Sequence, residues 1–164
     1  MRIIAGTFRG KKILEPKDTL TRPLKDLTKE SIFNILNHSS KFEINLKKSN
    51  ILDLFSGVGS FGIECLSRGS KEVVFVEKYN AVLPILKKNL KNLKLIENYK
   101  IIEKDIYDVA FFTSLEKKFD IIFMDPPYKD KNLNLLLDSI KNEKILNKNG
   151  ILVIHRHKNE KDLI

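Results

Sequence analysis

The residues most able to do chemistry are Asp125, Pro126, Pro127 and Tyr128, which follow an apolar run from Phe119 to Met124. The two prolines remove two N–H donors and fix two φ angles, so the run must end in a stiff turn. Asp125 and the Pro126 carbonyl can accept hydrogen bonds from an amine, and Tyr128 can stack on a flat ring. This turn therefore predicts a receptor for a base that bears an amino group.

A second motif lies earlier, where the apolar run from Ile51 to Phe55 leads into the sequence Ser-Gly-Val-Gly-Ser-Phe-Gly at 56–62. Glycines between a strand and a helix allow a tight turn and close approach of a ligand to the backbone. Glu77 ends the next predicted strand, about 20 residues later, where a carboxylate usually binds ribose hydroxyls. These features indicate a nucleoside-containing cofactor. The glycine spacing also suits a dinucleotide, but Asp53 and the Pro-Pro-Tyr sequence argue against a dehydrogenase.

Residues 53–62 resemble the first motif of class I S-adenosylmethionine methyltransferases, and residues 125–128 resemble the fourth motif of members that act on exocyclic amines. Further segments, namely 1–13, 22–23, 30–36, 62–69 and 75–78, are similar to the RsmD family. These are bacterial methyltransferases that modify a guanine N2 amine in small-subunit ribosomal RNA. The resemblance extends from Arg2 to about Val153.

The resemblance implies an S-adenosyl-L-methionine site. Glu77 is expected to bind the ribose hydroxyls and Asp105 the adenine amine, while Ile106 packs on the ring or donates its N–H. Asp53 is expected to order the glycine turn or to reach the methionine end through water. The full predicted cofactor set is Asp53, Phe55, Gly57, Gly59, Glu77, Lys78, Asp105, Ile106 and Asp125.

The predicted catalytic residues are Asp125, Pro126, Pro127 and Tyr128. An aromatic amine is a poor nucleophile because its lone pair is delocalised into the ring. Hydrogen bonds to Asp125 and the Pro126 carbonyl would offset the positive charge that develops on the nitrogen, and Tyr128 would replace the stacking of an extruded base. Two alternatives stay open: a DNA adenine-N6 methyltransferase, which uses the same fourth motif, and a noncatalytic cofactor- or RNA-binding relative.

The formal net charge of +9, from 30 basic and 21 acidic side chains, indicates a nucleic-acid partner. Residues 1–50 hold 11 basic and 5 acidic side chains, whereas residues 51–164 hold 19 and 16. The basic excess therefore lies in the first segment, where Ile3–Ile4 and residues 12–14 predict a hairpin. The alternative is a solvated hairpin that binds nothing. The predicted RNA-binding residues are Arg2, Arg9, Lys11, Lys12 and Arg22.

Strand and helix periods alternate from Ile51 onward, which predicts an α/β fold with a doubly wound, mostly parallel, Rossmann-like methyltransferase sheet. We expect strands at 51–55, 73–77, 100–103, 121–124 and 151–154, and helices at 61–67, 81–93 and 132–144. Asn80 is the expected cap of the second of these helices. Residues 1–50 form a predicted extension, a β-hairpin followed by a helix at 28–36 that buries Ile32, Ile35 and Leu36, and residues 51–164 form the methyltransferase domain.

The single cysteine, Cys65, excludes an internal disulfide and suits a reducing cytoplasm. No apolar run reaches the ~18 residues that a membrane span needs. We expect a soluble, cytoplasmic monomer that acts on 16S rRNA within a small-subunit particle. His155 and His157 lack a cluster of metal ligands, so we expect no metal, and Asp130 is expected at the surface. Since the family continues past the fifth strand with a helix and an antiparallel hairpin, C-terminal strands are expected to be missing.

Overall fold

The computed structural model describes residues 1–18, 24–94, 96–108, 110–128 and 130–156, so predictions on Arg22 and His157 lie outside the described residues. Within these ranges five strands form one parallel sheet in the order β3-β2-β1-β4-β5. The strands are β1 Asn50–Leu54, β2 Glu72–Val76, β3 Tyr99–Ile102, β4 Phe119–Met124 and β5 Leu146–Ile154. The helices are α1 Asp26–His38, α2 Ser60–Ser67, α3 Leu83–Lys91 and α4 Leu133–Asn142, with short 3-10 helices at Leu46–Lys48 and Phe112–Ser114.

The strands send alternate side chains into two separate cores, as expected for a sheet covered on both faces. Ile51 and Ile121 lie in a core shared with α1, α2 and α3. Leu52 and Ile122 lie in a second core shared with α4. The predicted doubly wound sheet is therefore confirmed, and every strand pairing among the described residues of the sheet is parallel. None of the described helices is long and apolar enough to cross a membrane.

Helix α1 buries only part of the face that its apolar pattern predicts: Leu36 is buried and Ile32 is half-buried, but Ile35 is exposed. Ile35, expected inside, is 60% exposed, whereas Lys29, Phe33 and Leu36 are buried. The Phe33 ring stacks on Phe61 of α2 with centroids 5.2 Å apart, which fixes the rotation of α1. The buried Lys29 ammonium is satisfied by hydrogen bonds to the Arg2 carbonyl and Ser60 Oγ, which allows a charged residue in the core.

An aromatic stack connects α1 to the strand that carries the chemistry. Phe61 stacks on Phe33 on one side and on Phe123 of β4 on the other, with centroids 4.0 Å apart in the second pair. The Arg68 guanidinium lies 4.2 Å from the centroid of Phe33 and covers the outer end of the stack. The N-terminal helix is therefore packed, through α2, against the strand that ends directly before Asp125.

The prediction that Asn80 caps α3 is wrong, because the helix begins at Leu83 with Val82 at the cap position. Pro84 occupies the first turn, where its missing N–H and fixed φ favour a helix start. The Tyr79 carbonyl instead accepts the N–H groups of Val82 and Leu83 in a preceding turn. The predicted buried stripe of this region is confirmed, since all of its members are at most 4% exposed: Val82, Leu83, Leu86, Leu90 and Leu93.

The predicted N-terminal hairpin forms, but its pairing is limited to one antiparallel bridge between Arg2 and Lys12. Beyond the bridge the backbone turns to side chains of the sheet domain. The Ile4 N–H donates to Glu64 (2.8 Å), and the Leu14 N–H donates to Asn89 (2.8 Å). Buried side chains of residues 1–36 also belong to the core of α2 and α3. The boundary at residue 50 stays a prediction.

Candidate active site

The parallel register places the last residues of all five strands in one row across the sheet. Ile102, Val76, Leu54, Met124 and Ile154 are successive partners. The residues that follow them are therefore neighbours along this edge: Glu103, Glu77, Phe55, Asp125 and His155. Since β1 lies between β2 and β4, the winding of the sheet reverses at its end. Ligands of doubly wound sheets bind at such a switch point.

The glycine turn connects β1 to α2 and requires glycine at two positions for different reasons. Gly59 has φ of 86° and precedes the first helical residue, a conformation that costs other residues free energy. Gly62 needs its missing side chain because a Cβ atom would lie 2.3 Å from the Phe75 ring on β2. Both constraints hold the start of α2 close to the ends of the strands.

Asp53 is buried in β1 and accepts a hydrogen bond from the end of the glycine motif. Its Oδ2 accepts the Gly62 N–H at 3.0 Å, and only 1% of the residue is exposed. Burial raises the pKa of Asp53 to about 8, against the Gly62 hydrogen bond, and the charges of Asp125 and Glu77 add to the rise. At pH 7 the carboxyl is therefore mostly protonated. This contact matches the first of the two roles expected for Asp53.

Glu77 lies at the end of β2 and is bound to the glycine turn. Its Oε2 accepts the Gly57 N–H at 2.8 Å, and its Oε1 accepts the N–H groups of Lys78 and Tyr79. Glu77 is half-buried, so its carboxylate borders both the turn and solvent. An ionised carboxylate has about four acceptor positions, which leaves capacity for a hydroxyl beside these three donors.

Lys78 and Asp105, both predicted to bind the cofactor, form an ion pair with Nζ to Oδ2 at 2.8 Å. This hydrogen bond and the Tyr107 N–H hold the pKa of Asp105 below its usual value. Ile106 is 5% exposed and packs in the second core, so its backbone N–H is the group that could reach a ligand. Phe55 has φ of 57°, a strained conformation at the start of the glycine turn.

The Asp-Pro-Pro-Tyr turn leaves β4 at the switch point. Pro126 is buried, whereas Pro127 is exposed and the Tyr128 residue is 56% exposed. The Pro127 carbonyl accepts the Asp130 N–H at 2.8 Å, which closes the turn. The Pro126 carbonyl and the Asp125 carboxylate thus remain the candidate acceptors for an amine, and the Tyr128 ring is accessible for stacking.

Three side chains that sequence reasoning did not assign to the site brace this turn. Tyr107 donates its hydroxyl to Asp130 Oδ2 (2.7 Å), and Arg156 Nη1 donates to the Asp130 carbonyl (3.3 Å). His155 Nδ1 lies 2.9 Å from Asp125 Oδ1. Asp130, expected at the surface, is half-buried because it accepts these bonds. The signal for His155 is its place directly after a strand that neighbours β4.

A buried ionic cluster binds the N-terminal segment to the start of α2. Lys29 donates to the Arg2 carbonyl (2.7 Å) and to Ser60 Oγ (3.3 Å), and its Nζ is 3.5 Å from Glu64. Burial lowers the pKa of Lys29, while Glu64 opposes this shift. Glu64 is fully buried and also pairs with Arg68 at 2.9 Å. The apolar pattern gives no signal for this cluster, because it depends on long-range contacts.

The predicted RNA-binding residues of the hairpin divide between the two ends of α2. All four within the described residues are exposed: Arg2, Arg9, Lys11 and Lys12. The Lys29 ammonium donates both to the Arg2 carbonyl and to Ser60, the first residue of α2. The Thr7 N–H donates to the carbonyl of Ser67, the last residue of α2. The Arg2–Lys12 pair thus lies toward the glycine turn. The Lys11 ammonium lies 4.9 Å from the centroid of the Phe8 ring, and the Phe8 N–H donates to Ser67 Oγ, so Arg9 and Lys11 lie toward the opposite end of α2.

No group of three or more histidine, cysteine, aspartate or glutamate side chains within the described ranges could hold a metal ion. The acidic side chains near the switch point instead accept backbone N–H groups, as Asp53 and Glu77 do, or contact a basic side chain, as Asp125 does, or both, as Asp105 does.

Comparison with known proteins gives extensive matches. The family model described as conserved hypothetical protein 95 matches residues 1–163. YlbH of Bacillus subtilis is 35% identical over 155 residues, which are 93% of this chain and 80% of that protein. Ribosomal RNA small subunit methyltransferase D of Haemophilus influenzae is 38% identical over 129 residues, 78% of this chain and 64% of the relative. The solved structure of yhhF from Escherichia coli is 27% identical, has a TM-score of 0.82, and is matched by 100% of this chain over 85% of its length.

These likenesses make the domain a Rossmann-like α/β methyltransferase. Because the family model covers almost the whole chain, and the matching relatives include small subunit methyltransferase D proteins, the chain belongs to the RsmD family.

Proposed function

We propose that the protein methylates the exocyclic N2 amine of a guanine in 16S rRNA with S-adenosyl-L-methionine as the methyl donor. The observation that carries the proposal is the position of the Asp125 turn. It leaves β4 at the switch point, next to the end of β1 and its glycine turn. A base held at this turn would therefore lie beside a cofactor held at the glycine turn.

The cofactor fits the residues at this edge. Gly57 and Gly59 both have positive φ and form a turn to which a ligand can come close. Glu77 would bind the ribose hydroxyls, and Asp105 with the Ile106 N–H would bind the adenine. Asp53, Phe55, Lys78 and Asp125 complete the proposed set. When bound, the cofactor supplies an electrophilic methyl group on its sulfonium.

The chain's own residues have to orient the amine and stabilise its charge. Asp125 and the Pro126 carbonyl would accept the two N–H groups of the amine, which directs its lone pair toward the methyl group and offsets the developing positive charge. Tyr128 would stack on the base after it leaves its helix. Pro126 and Pro127 keep these groups in a fixed relation, since both φ angles are restricted.

The rRNA substrate is supported by the relatives named small subunit methyltransferase D. We propose that the chain acts as a monomer in the cytoplasm on a small-subunit particle. The basic extension would contact phosphates through Arg2, Arg9, Lys11, Lys12 and Arg22. Because the Arg2–Lys12 pair lies toward the glycine turn, we expect it to contribute more to RNA binding than Arg9 and Lys11.

Paired alanine variants test this interface. Replacing Arg2 and Lys12 should weaken RNA binding and lower the slope of log affinity against log salt by about 0.7 to 0.9 per lost phosphate contact. Replacing Arg9 and Lys11, which removes the same charge, is the matched control and should change the slope less. Cofactor affinity should stay unchanged in both. Equal slopes for both variants and the unmodified protein would mean that the hairpin is only solvated.

The reaction itself is tested with methyl-labelled cofactor and three substrates: undermodified small ribosomal subunits, the naked 16S rRNA and genomic DNA. After digestion, the labelled nucleoside identifies the target amine. N2-methylguanosine from the subunits supports the proposal. N6-methyladenosine from DNA would support the alternative DNA enzyme, and cofactor binding without any transfer would support a noncatalytic relative.

A further inference from the structure

His155 is held against the side chain proposed to act on the amine. Its backbone N–H donates to the Met124 carbonyl at 2.9 Å, which fixes it beside the residue that follows β4. Its Nδ1 then lies 2.9 Å from Asp125 Oδ1, with the two side chains 40% and 24% exposed. An ionised carboxylate can only accept hydrogen bonds, so Nδ1 must carry the hydrogen in either charge state of the ring.

We propose that His155 is a positioning residue for methyl transfer, acting through Asp125; this inference rests on the proposed function. By occupying Asp125 Oδ1, His155 fixes the rotation of the carboxylate and leaves Oδ2 for an N–H of the amine. A carboxylate on a short side chain can otherwise rotate about its terminal torsion, which is broad and roughly two-fold. The histidine thereby prevents a rotation of the carboxylate that would move Oδ2 out of line with the amine.

The charge of His155 adds a second effect. A neutral imidazole orients Asp125 and leaves its negative charge available to the amine. A protonated imidazolium would balance part of that charge, and so reduce the stabilisation of the positive nitrogen in the transition state. Histidine commonly changes charge between pH 5 and 8. The rate of methyl transfer should therefore rise with pH as the imidazolium loses its proton.

Other charged or titratable groups surround this pair and belong to four elements of the edge. From the end of β1 there is the carboxyl of Asp53, which interacts with the charge of Asp125. Asp130 lies in the loop after β4. Tyr107, whose hydroxyl donates to Asp130 Oδ2, lies in the loop after β3. The remaining group is the guanidinium of the residue after His155, beyond the end of β5. These groups are Asp53, Asp130, Tyr107 and Arg156. Burial raises the pKa of Asp53 to about 8, so its charge also changes near neutral pH.

Because the charge of Asp53 also changes with pH, the effect of His155 has to be separated by variants that keep Asp53. Single-turnover methylation of undermodified subunits is measured from pH 5.5 to 8.5 for the full chain and for His155→Ala, His155→Asn and His38→Asn. Asparagine keeps an N–H donor but has no charge change. His38 is an exposed histidine on α1 and provides the matched control. Calorimetric affinity for S-adenosylhomocysteine and the urea midpoint show whether each variant is folded and binds.

The rate of methyl transfer by the unmodified protein and by His38→Asn should rise about tenfold from pH 5.5 to 8.5. This change is smaller than the loss in rate of about 10² to 10³ that follows removal of a group that stabilises the transition state. His155→Ala should transfer the methyl group at least tenfold more slowly than the unmodified protein at pH 8. His155→Asn should regain most of the lost rate, but its rate should lack the rise with pH that is assigned to His155. Rates and pH profiles of both His155 variants that equal those of the unmodified protein would overturn this inference and leave the proposed function intact. Absence of methyl transfer by the unmodified protein would overturn the proposed function, and this inference with it.

Discussion

Single carboxylates at the ends of the strands have structural contacts as well as proposed ligand contacts. Glu77 accepts three backbone N–H groups, one of them from the glycine turn, and would also bind the ribose. Asp53 is too deeply buried to serve as a free anion at neutral pH. Both are acidic side chains near a strand end, but Asp53 is buried and Glu77 is half-buried, and burial raises the pKa of Asp53 to about 8.

Replacing Glu77 with alanine should weaken the binding of S-adenosylmethionine and S-adenosylhomocysteine by about 1.5 to 3 kcal/mol, because charge-assisted hydrogen bonds to hydroxyls are lost. Calorimetry measures both affinities. Glu97→Ala, at an exposed position, is the control. Because Glu77 also holds the Gly57 N–H, the melting temperature should fall as well. Unchanged affinity in the Glu77 variant would contradict the assignment.

The buried carboxyl of Asp53 should make stability depend on pH. Its pKa in the folded protein, about 8, lies above the ordinary value of 3.8, so folding favours the protonated form. This contribution is fully present below pH 3.8 and is lost as pH rises toward 8, at up to about 1.4 kcal/mol per pH unit. Asp53→Asn, which keeps an oxygen for the Gly62 N–H, should avoid this loss.

Urea unfolding at pH 5, 6, 7 and 8 measures the effect. The free energy of unfolding of Asp53→Asn, relative to the unmodified protein, should increase steadily over this range. Asp138→Asn, an exposed position on α4, should show no such trend. A difference between Asp53→Asn and the unmodified protein that does not change with pH would show that Asp53 is ionised throughout.

At the scale of elements, α2 connects the extension to the site. One end of α2 begins at the glycine turn, and its Glu64 holds the N-terminal segment through the Ile4 and Ala5 N–H groups. Glu64→Ala would remove the acceptor of those donors and the buried carboxylate that lies 3.5 Å from Lys29 Nζ and pairs with Arg68. We expect a loss of about 3 to 5 kcal/mol in the free energy of unfolding, as for other broken buried ion pairs.

Chemical denaturation of Glu64→Ala measures this loss, and Glu30→Ala, exposed on α1, is its control. The double variant Lys29→Met with Glu64→Gln should recover part of the stability, because it removes the buried charge together with its partner. A cost below about 1 kcal/mol for Glu64→Ala would show that the cluster is not a structural connection.

The elements themselves were largely predictable, because their signals are local. Apolar runs ended by Gly or Asp-Pro-Pro predict β1 and β4, and the heptad-like spacing from Val82 to Leu93 predicts the buried face of α3. The rotation of α1 was not predictable, since it depends on the Phe33–Phe61 stack and on a buried lysine. The His155–Asp125 contact likewise needs the register of two strands distant in sequence.

At the scale of the whole molecule, five strand ends in register and an N-terminal extension are organised around one edge of the sheet. Charge alone indicated a nucleic-acid partner but could not place it. The structure divides the basic hairpin between two ends of α2, so only half of its charge lies toward the proposed site. Aligned strand ends bring together residues that the chain separates, and a sequence predicts this only when strand order and register are known.

The central claim is that Asp125 at the switch point acts on a base amine. Single-turnover methylation of undermodified small ribosomal subunits by Asp125→Ala, compared with the unmodified protein, tests it most directly. We predict a rate about 10² to 10³ lower, because the group that offsets charge on the amine is lost. Affinity for S-adenosylmethionine should fall far less than the rate, since Glu77 and Asp105 would still bind the ribose and the adenine. N2-methylguanosine should be the product of the unmodified protein. Full activity of Asp125→Ala would contradict the mechanism.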